Sequence, residues 1–436
     1  MKIGIVGLGF VGLSFAVVLG HRGYSVIGVD TDKNKISSIL SKKSPFYEPK
    51  LDRMLETTLK KSLKVSTDVV SVASECQLIF ITVGTPLSKT GYIDLSKVKL
   101  AARNIGSALS KTQNKPTIII KSTVSPGTTR DIIQPILEKQ SRKKTGMGFG
   151  LLTNPEFLRE GKAIDDTIKP HIVVIGGDDN ESITKLRSFY LRLYRKKVPI
   201  IVTNSQTAEL IKYANNSFLA TKISFINQMA NICQAIHGTN IDDVARAIGL
   251  DPRIGNLFLR AGPGYGGSCL PKDLQTLISF SNRIGNNPTL LRAVQHTNSL
   301  QVENVARMIK NVLGSYEGKR ITILGLSFKE DSDDIRESAS IKIIKLLQKR
   351  HAKITVHDPK AIGNTERIFG DSIRYSQSVH DALKGSECAV IMTPWNEYRK
   401  ITNKDIVVMK RRIIIDSRRQ LDKDKIKAEY HAVGLG

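Results

Sequence analysis

The sequence predicts an α/β chain: two parallel-sheet units joined by a helical segment built around one long central helix. Three observations carry this. Apolar runs of strand length alternate with amphipathic stretches over residues 1–205 and again over residues 316–436. Between them, "TAELIKYANNSFLATKISFINQMANICQAIH" meets no glycine or proline until Gly238, and its apolar residues recur at three- and four-residue intervals. The first turn, "GLGFVG", follows an apolar run and opens a helical stretch, the setting in which a glycine-rich turn receives a phosphate.

In chain order, "KIGIVG" is the first strand and is followed by a helical stretch to His21. "YSVIGVD" is the second strand and ends at Asp30. "LIFITVG" (Leu78 to Gly84), "TIIIKST" (Thr117 to Thr123), "GLLTNPEF" and "IVVIGG" continue a doubly wound series that closes near Val202 to Ser205. The long helix begins at Gln206; "IDDVARAIG" is a second helix ending at Gly249, and a third spans about Pro288 to Leu313. "RITILGLSF", helical "ASIKIIKLLQKR", "KITVHDP", "CAVIMTP" and "RRIIIDSRR" then make a second nucleotide-binding pattern. The expected domains are 1–205, 206–315 and 316–436: two Rossmann-like units around a helical one. A local repeat, "SECQLIFITVGTP" against "SECAVIMTP", supports the shared layout and places Cys76 and Cys388 at the start of buried strands. Packing is the expected role of those two cysteines and of Cys233 in the long helix.

The chain has 436 residues, 40% hydrophobic and 24% charged, an ordinary globular composition with no apolar run of membrane-spanning length. The glycines at positions 7, 9 and 12 set the N-terminal apolar stretch apart from a signal peptide. The four cysteines are scattered, which argues against a disulfide framework or zinc site and for a reducing, cytoplasmic setting. The formal net charge is +26. Basic clusters such as "LKKSLK", "SRKKTG" and "MKRR" fall between elements instead of along one helix, which argues against nucleic acid as the partner.

Chemistry concentrates in five places. Gly7, Gly9 and Gly12 form G-x-G-x-x-G, and Asp30 closes the second strand at the distance expected of a carboxylate that binds ribose hydroxyls, which favours NAD over NADP. Ser122 and Thr123 sit at the carboxyl end of a strand, where such sheets bind ligands. Glu156 and Glu160 are four apart and share a face if their stretch is helical; spacing alone does not separate acid–base chemistry from an ion pair with Arg159. Lys212 and Asn216 are four apart on the long helix and suit an oxyanion, with a snorkelling lysine as the alternative. Cys269 and Asp273 lie in "GPGYGGSCLPKD", where a thiol beside Lys272 is a candidate nucleophile. With a nicotinamide cofactor, these groups suit oxidation of an alcohol to an aldehyde, capture by the thiolate, a second oxidation, and hydrolysis.

"GLGFVGL", "VGTP", "KSTVSPGTT", "NPEFLREG", "AELIKYANNSFLA", "DPRIGNLFLRAGPGYGGSCLPKD", "GLSFKEDSDDIRES" and "IIDSRRQLD" occur in the order of one family. Across essentially its whole length the chain resembles the NAD-dependent nucleotide-sugar dehydrogenases, the UDP-glucose/GDP-mannose dehydrogenase family. The resemblance implies Cys269 as nucleophile, Lys212 and Asn216 as oxyanion stabilisers, Asp273 in the acid–base and water network, and Thr123 and Glu156 as the groups that place and activate hydrolytic water. It implies NAD contacts from Gly7, Gly9, Phe10, Val11, Gly12, Asp30, Lys33, Thr85, Thr123, Glu160, Lys272 and Arg336. It implies a UDP-sugar held by Glu156, Phe157, Leu158, Arg159, Glu160, Lys212, Asn216, Tyr265, Gly266, Lys329 and Arg418, with Arg253 reaching a neighbouring subunit's site and hence at least a homodimer. Ser268 before the cysteine argues against N-acetylmannosamine-type substrates; "NPEFLREGKAIDDTIKP" leans towards UDP-glucose and "GSCLPKD" slightly towards GDP-mannose.

Overall fold

The computed structural model describes residues 1–436 except Lys89 and Lys196. It divides into two compact units, Met1–Asn215 and Asn216–Gly436, with the boundary inside the long helix Ser205–Cys233.

The first unit contains β1 (Lys2–Val6), β2 (Ser25–Val29), β3 (Leu63–Ser66), β4 (Leu78–Ile81), β5 (Thr117–Ile120), β6 (Gly150–Thr153), β7 (Val173–Gly176) and β8 (Ile200–Thr203). Their order in the sheet is β3-β2-β1-β4-β5-β6-β7-β8. The direction of winding reverses between β1 and β4, so a crevice opens at the carboxyl ends of those two strands. Both faces are covered, as parallel strands require. Leu78 and Phe80 enter one core with Ile3 and Ile5, while Ile79 and Ile81 enter the other with Val6 and Val29. The sheet departs from the all-parallel expectation at one seam: β6 and β7 pair antiparallel at Thr153 and Gly176, and β8 follows β7 in parallel. The first turns of the long helix are tied to this unit by Glu209, whose carboxylate accepts from the Gly127 amide (2.6 Å), the Thr129 amide (2.9 Å) and the Thr129 hydroxyl (2.6 Å).

The second unit contains the remainder of the long helix, the helices Ile241–Gly249, Leu270–Arg283 and Thr289–Leu313, and a second sheet. That sheet comprises β9 (Arg320–Leu324), β10 (Lys353–His357), β11 (Arg374–Tyr375), β12 (Cys388–Ile391), β13 (Ile413–Asp416) and β14 (Glu429–Ala432). The order is β11-β10-β9-β12-β13-β14, and every registered pair is parallel. Cys76, Cys233 and Cys388 are buried and unbridged; burial pushes the Cys76 thiol up to about 12. Among the described residues no helix is long and apolar enough to cross a membrane.

Candidate active site

Each unit carries its own set of chemical groups. In the first, the turn after β1 leads directly into the helix Phe10–His21. Gly7 has φ +101°, and a Cβ there would meet Val83 backbone at 2.8 Å. A Cβ on Gly12 would lie 1.9 Å from the Gly7 carbonyl. Those two glycines therefore serve the tight turn and the close helix–strand packing. Gly9 differs, because nothing lies within 4 Å of where its Cβ would be. It is also the residue that starts the helix, with no side-chain cap and no acidic residue in the first turn. The helix N-terminus is thus a positive, unobstructed cradle suited to a pyrophosphate. Phe10 and Val11 are the first residues of that helix, and the Phe10 ring rests against Phe46 at 5.3 Å.

Asp30 lies beyond β2 with one carboxylate oxygen accepting from the Leu8 amide (2.8 Å) and the other from the Asp32 amide (3.0 Å). The ammonium that pairs with it is that of Lys35 (2.6 Å); Lys33 is exposed at the start of the helix Lys33–Leu40. Burial raises the Asp30 carboxyl, but Lys35 and the two amides outweigh it and hold it below its ordinary value. Thr85 and Thr123, after β4 and β5, are joined by a hydrogen bond from the Thr85 hydroxyl to the Thr123 carbonyl (2.8 Å).

After β6 the chain runs irregularly through Asn154 to Arg159. No helix forms there, so Glu156 and Glu160 do not share a helical face. Glu156 instead turns inward and pairs with Lys212 at 3.0 Å, the two side chains 7% and 4% exposed. The Lys212 ammonium also lies 5.4 Å from the centre of the Phe157 ring, and the Leu158 amide donates to Glu156 at 2.5 Å. Burial raises the Glu156 carboxyl; Lys212, that amide and Lys121 outweigh it, so Glu156 is ionised at neutral pH. Arg159 is directed outward into a bidentate pair with Asp166 (2.6 and 2.9 Å).

In the second unit Cys269 occupies the residue before the helix Leu270–Arg283, with Pro271 in the first turn. The residue is partly exposed and stands at the positive end of the helix dipole, a setting that favours a thiolate. The Asp273 amide donates to the Cys269 carbonyl at 2.8 Å. Asp273 is 1% exposed and is held between the Asn216 amide (2.6 Å) and the Lys272 ammonium (2.5 Å). The Ser268 hydroxyl lies 3.5 Å from the sulfur.

Close neighbours crowd the glycines before Cys269. A Cβ on Gly266 would meet the Glu337 carbonyl at 2.4 Å, and one on Gly267 the Phe328 ring at 2.6 Å. A Cβ on Gly264 would meet Asn298 at 2.8 Å, and one on Gly262 would meet Arg418 at 2.9 Å. Tyr265 is fixed by paired hydrogen bonds with Asn298 (2.8 and 3.0 Å). Arg418, after β13, is half-buried and donates to the Met392 carbonyl (2.8 Å); desolvation pulls its guanidinium down to about 10. Lys329 lies over Phe328 at 5.9 Å, Arg336 pairs with Asp334 at 2.6 Å, and Arg253 pairs with Asp251 while remaining 87% exposed.

Residues 1–194 match the model of the UDP-glucose/GDP-mannose dehydrogenase family, NAD binding domain; residues 206–300 match its central domain and 322–423 its UDP binding domain. The chain belongs to this family. UDP-glucose 6-dehydrogenase TuaD of Bacillus subtilis is 37% identical over 99% of this chain and 93% of its own. UDP-glucose 6-dehydrogenase of Rickettsia typhi is 38% identical over 100% and 99%. Among solved structures, a UDP-glucose dehydrogenase from Pyrobaculum islandicum superposes with TM-score 0.92 at 32% identity, covering 100% of this chain and 98% of that one. The cofactor is NAD, and the open space at Gly9, the bare helix N-terminus and the Asp30 carboxylate fit it.

Three residues were not singled out by sequence reasoning. Lys35 escapes because its pairing depends on one helical turn after Asp32. Glu48, 5% exposed, accepts from the Gly161 (2.7 Å) and Ala163 (2.8 Å) amides, and no local pattern announces partners so distant in the chain. Lys121 is buried at the end of β5, where a strand pattern conceals the ammonium.

The contrast between the two glycines is testable. Gly12→Ala is expected to lower stability by about 1–3 kcal/mol or more, as overpacking does. Gly9→Ala should melt with the parent yet raise KM for NAD about tenfold, equivalent to about 1.4 kcal/mol of lost contact. Thermal melting and NAD titration of both variants check this; an unchanged NAD KM in Gly9→Ala contradicts the cradle.

Proposed function

We propose that this chain oxidises the C6 alcohol of UDP-glucose twice, giving UDP-glucuronate through a thioester on Cys269. The observation that carries the reading is the placement of Cys269 at a helix N-terminus beside the buried Asn216–Asp273 pair and Lys272. Full-length similarity to UDP-glucose 6-dehydrogenases supports UDP-glucose over GDP-mannose or an N-acetylated sugar. NAD bound at the Gly9 cradle would supply the hydride acceptor for both oxidations of the sugar carbon. In the first half, the alcohol proton passes to water in the acid–base network of Asp273, and loss of the hydride leaves an aldehyde. The Cys269 thiolate then adds to the aldehyde carbon, and the negative charge moves to its oxygen. The Lys212 ammonium and the Asn216 amide have the chemistry to stabilise that oxygen.

After the second oxidation the carbon is held as a thioester. Glu156, ionised by Lys212, takes a proton from a water placed with the help of Thr123. The water oxygen bonds to the carbonyl carbon, the C–S bond breaks, and Cys269 leaves as a thiolate. The carboxylic acid then ionises. Asp273 supports the network through Asn216 and Lys272. Glu160, Lys33, Lys272 and Arg336 are assigned to the cofactor side by the family pattern, and Phe157, Leu158, Arg159, Tyr265, Gly266, Lys329 and Arg418 to the sugar nucleotide.

Limiting UDP-glucose should yield two NADH per sugar. Cys269→Ser should abolish carboxylate formation. One NADH with a released aldehyde would instead indicate a two-electron enzyme with a structural Cys269.

The homodimer expectation rests on the long helix. Phe218, Phe225 and Ile232 are seven residues apart and 65%, 51% and 47% exposed, an apolar stripe on a helix of 29 residues. Heptad spacing presents such side chains to another helix, and a second copy supplies the matching stripe. Arg253, which the family pattern sends to a neighbouring subunit, is exposed nearby in sequence. Replacing both phenylalanines with aspartate should halve the mass measured by light scattering in solution. A parent chain that is already monomeric at micromolar concentration contradicts the dimer.

A further inference from the structure

Lys121 is a buried cation that the proposed reaction does not use. Its side chain ends β5 and is 8% exposed. Among the described residues its ammonium has one hydrogen-bond partner, Asn154 Oδ1 at 3.0 Å, so two of its three N–H donors are uncommitted. It also lies 5.2 Å from the centre of the Phe15 ring. The same Asn154 oxygen accepts from the Tyr190 hydroxyl at 2.5 Å. Lys121, Asn154, Glu156, Thr167 and Tyr190 line one cavity of about 30 Å³. Thr167 is 3% exposed, and its hydroxyl has no partner among the described residues. A polar cavity needs about 10–15 Å³ and two to four polar partners to hold an ordered water. Both conditions are met, and two independent groups, the Lys121 ammonium and the Thr167 hydroxyl, are left needing one.

We propose that this cavity binds one or two ordered waters that couple Lys121 to Glu156, making Lys121 a positioning residue for the hydrolysis step. The proposal rests on Glu156 acting as the base in that step. From the cavity side Lys121 faces the carboxylate that Lys212 pairs with directly, so Glu156 is held ionised from two directions. Burial pulls the Lys121 ammonium down to about 8, with Glu156 opposing and Lys212 adding to the shift, so the cation persists at neutral pH. The other titratable groups around the cavity are Asp166, committed to Arg159, and the Tyr190 and Tyr194 phenols, which burial keeps protonated.

The test compares Lys121→Met with Lys121→Arg in the full chain. Loss of the cation weakens the ionised form of Glu156. The acid limb of kcat in Lys121→Met should therefore move to higher pH by about one unit. Its kcat should fall about tenfold while KM for UDP-glucose stays within about twofold. Lys121→Arg, which keeps the charge, should restore the limb. Thr167→Val leaves every charge in place and should shift the limb in the same direction by less; it carries the test if the methionine variant does not fold. An acid limb unmoved in both variants overturns the proposal. A second arm needs no turnover: melting temperatures of Lys121→Met, Glu156→Gln and the double variant. Coupling predicts that the double variant loses less than the sum of the singles, and strict additivity overturns the proposal whatever the enzyme's substrate proves to be.

Discussion

A long helix that carries a lysine and an asparagine on consecutive buried turns forces charge compensation on whatever surrounds it. Lys212 is 3% exposed and Asn216 5%. An ammonium removed from water without a partner is costly, and breaking a buried pair by deleting one member typically costs about 3–5 kcal/mol. Glu156 meets that demand in the first unit and Asp273 takes the Asn216 amide in the second. The consequence is chemical as well as structural. The partner of a buried cation is itself buried and ionised, which is the state a general base requires. The buried ammonium thereby accounts for the inward turn of the Glu156 carboxylate in the irregular stretch after β6.

The two sheets are built on one plan and put it to different uses. Gly325 in the second has φ +95°, close to the +101° of Gly7, and each follows the first strand of its sheet. Asp358 ends the second strand there as Asp30 does in the first. Asp30, however, is engaged by two amides and one lysine on its own side of the crevice. Asp358 is 2% exposed and receives the amides of Leu326, Ser327, Lys360 and Ala361 together with the Trp395 indole. A carboxylate so fully used has no capacity left for ribose hydroxyls. The two sheets thus differ at this position, the first lying in the segment that matches an NAD binding domain and the second in the segment that matches a UDP binding domain.

The order of the sheets was legible in the sequence because buried parallel strands read as continuous apolar runs, and those runs are interior on both faces. The strands that went unmarked are the four at the sheet edges: β3 buries Leu63 alone, β14 buries Ala432 alone, and β8 and β11 bury no residue fully. The helix Leu270–Arg283 was hidden by the glycines before it, although Pro271 in its first turn is a helix-start signal. The glycine run also lets Glu337, Phe328, Asn298 and Arg418 pack against the loop, a set of close approaches that no local pattern announces. Candidate site residues were found where a motif names them. Lys35, Glu48 and Lys121 were not, because their roles arise from partners brought close only by folding.

The account centres on a carbon held on Cys269 and released by a water that Glu156 activates. The direct test is to mix the Glu156→Gln variant with UDP-glucose and NAD, quench in acid, and map the peptides by mass. The account predicts a uronyl group on Cys269, in a linkage that hydroxylamine cleaves. NADH formation with no adduct, or an adduct on another residue, contradicts it.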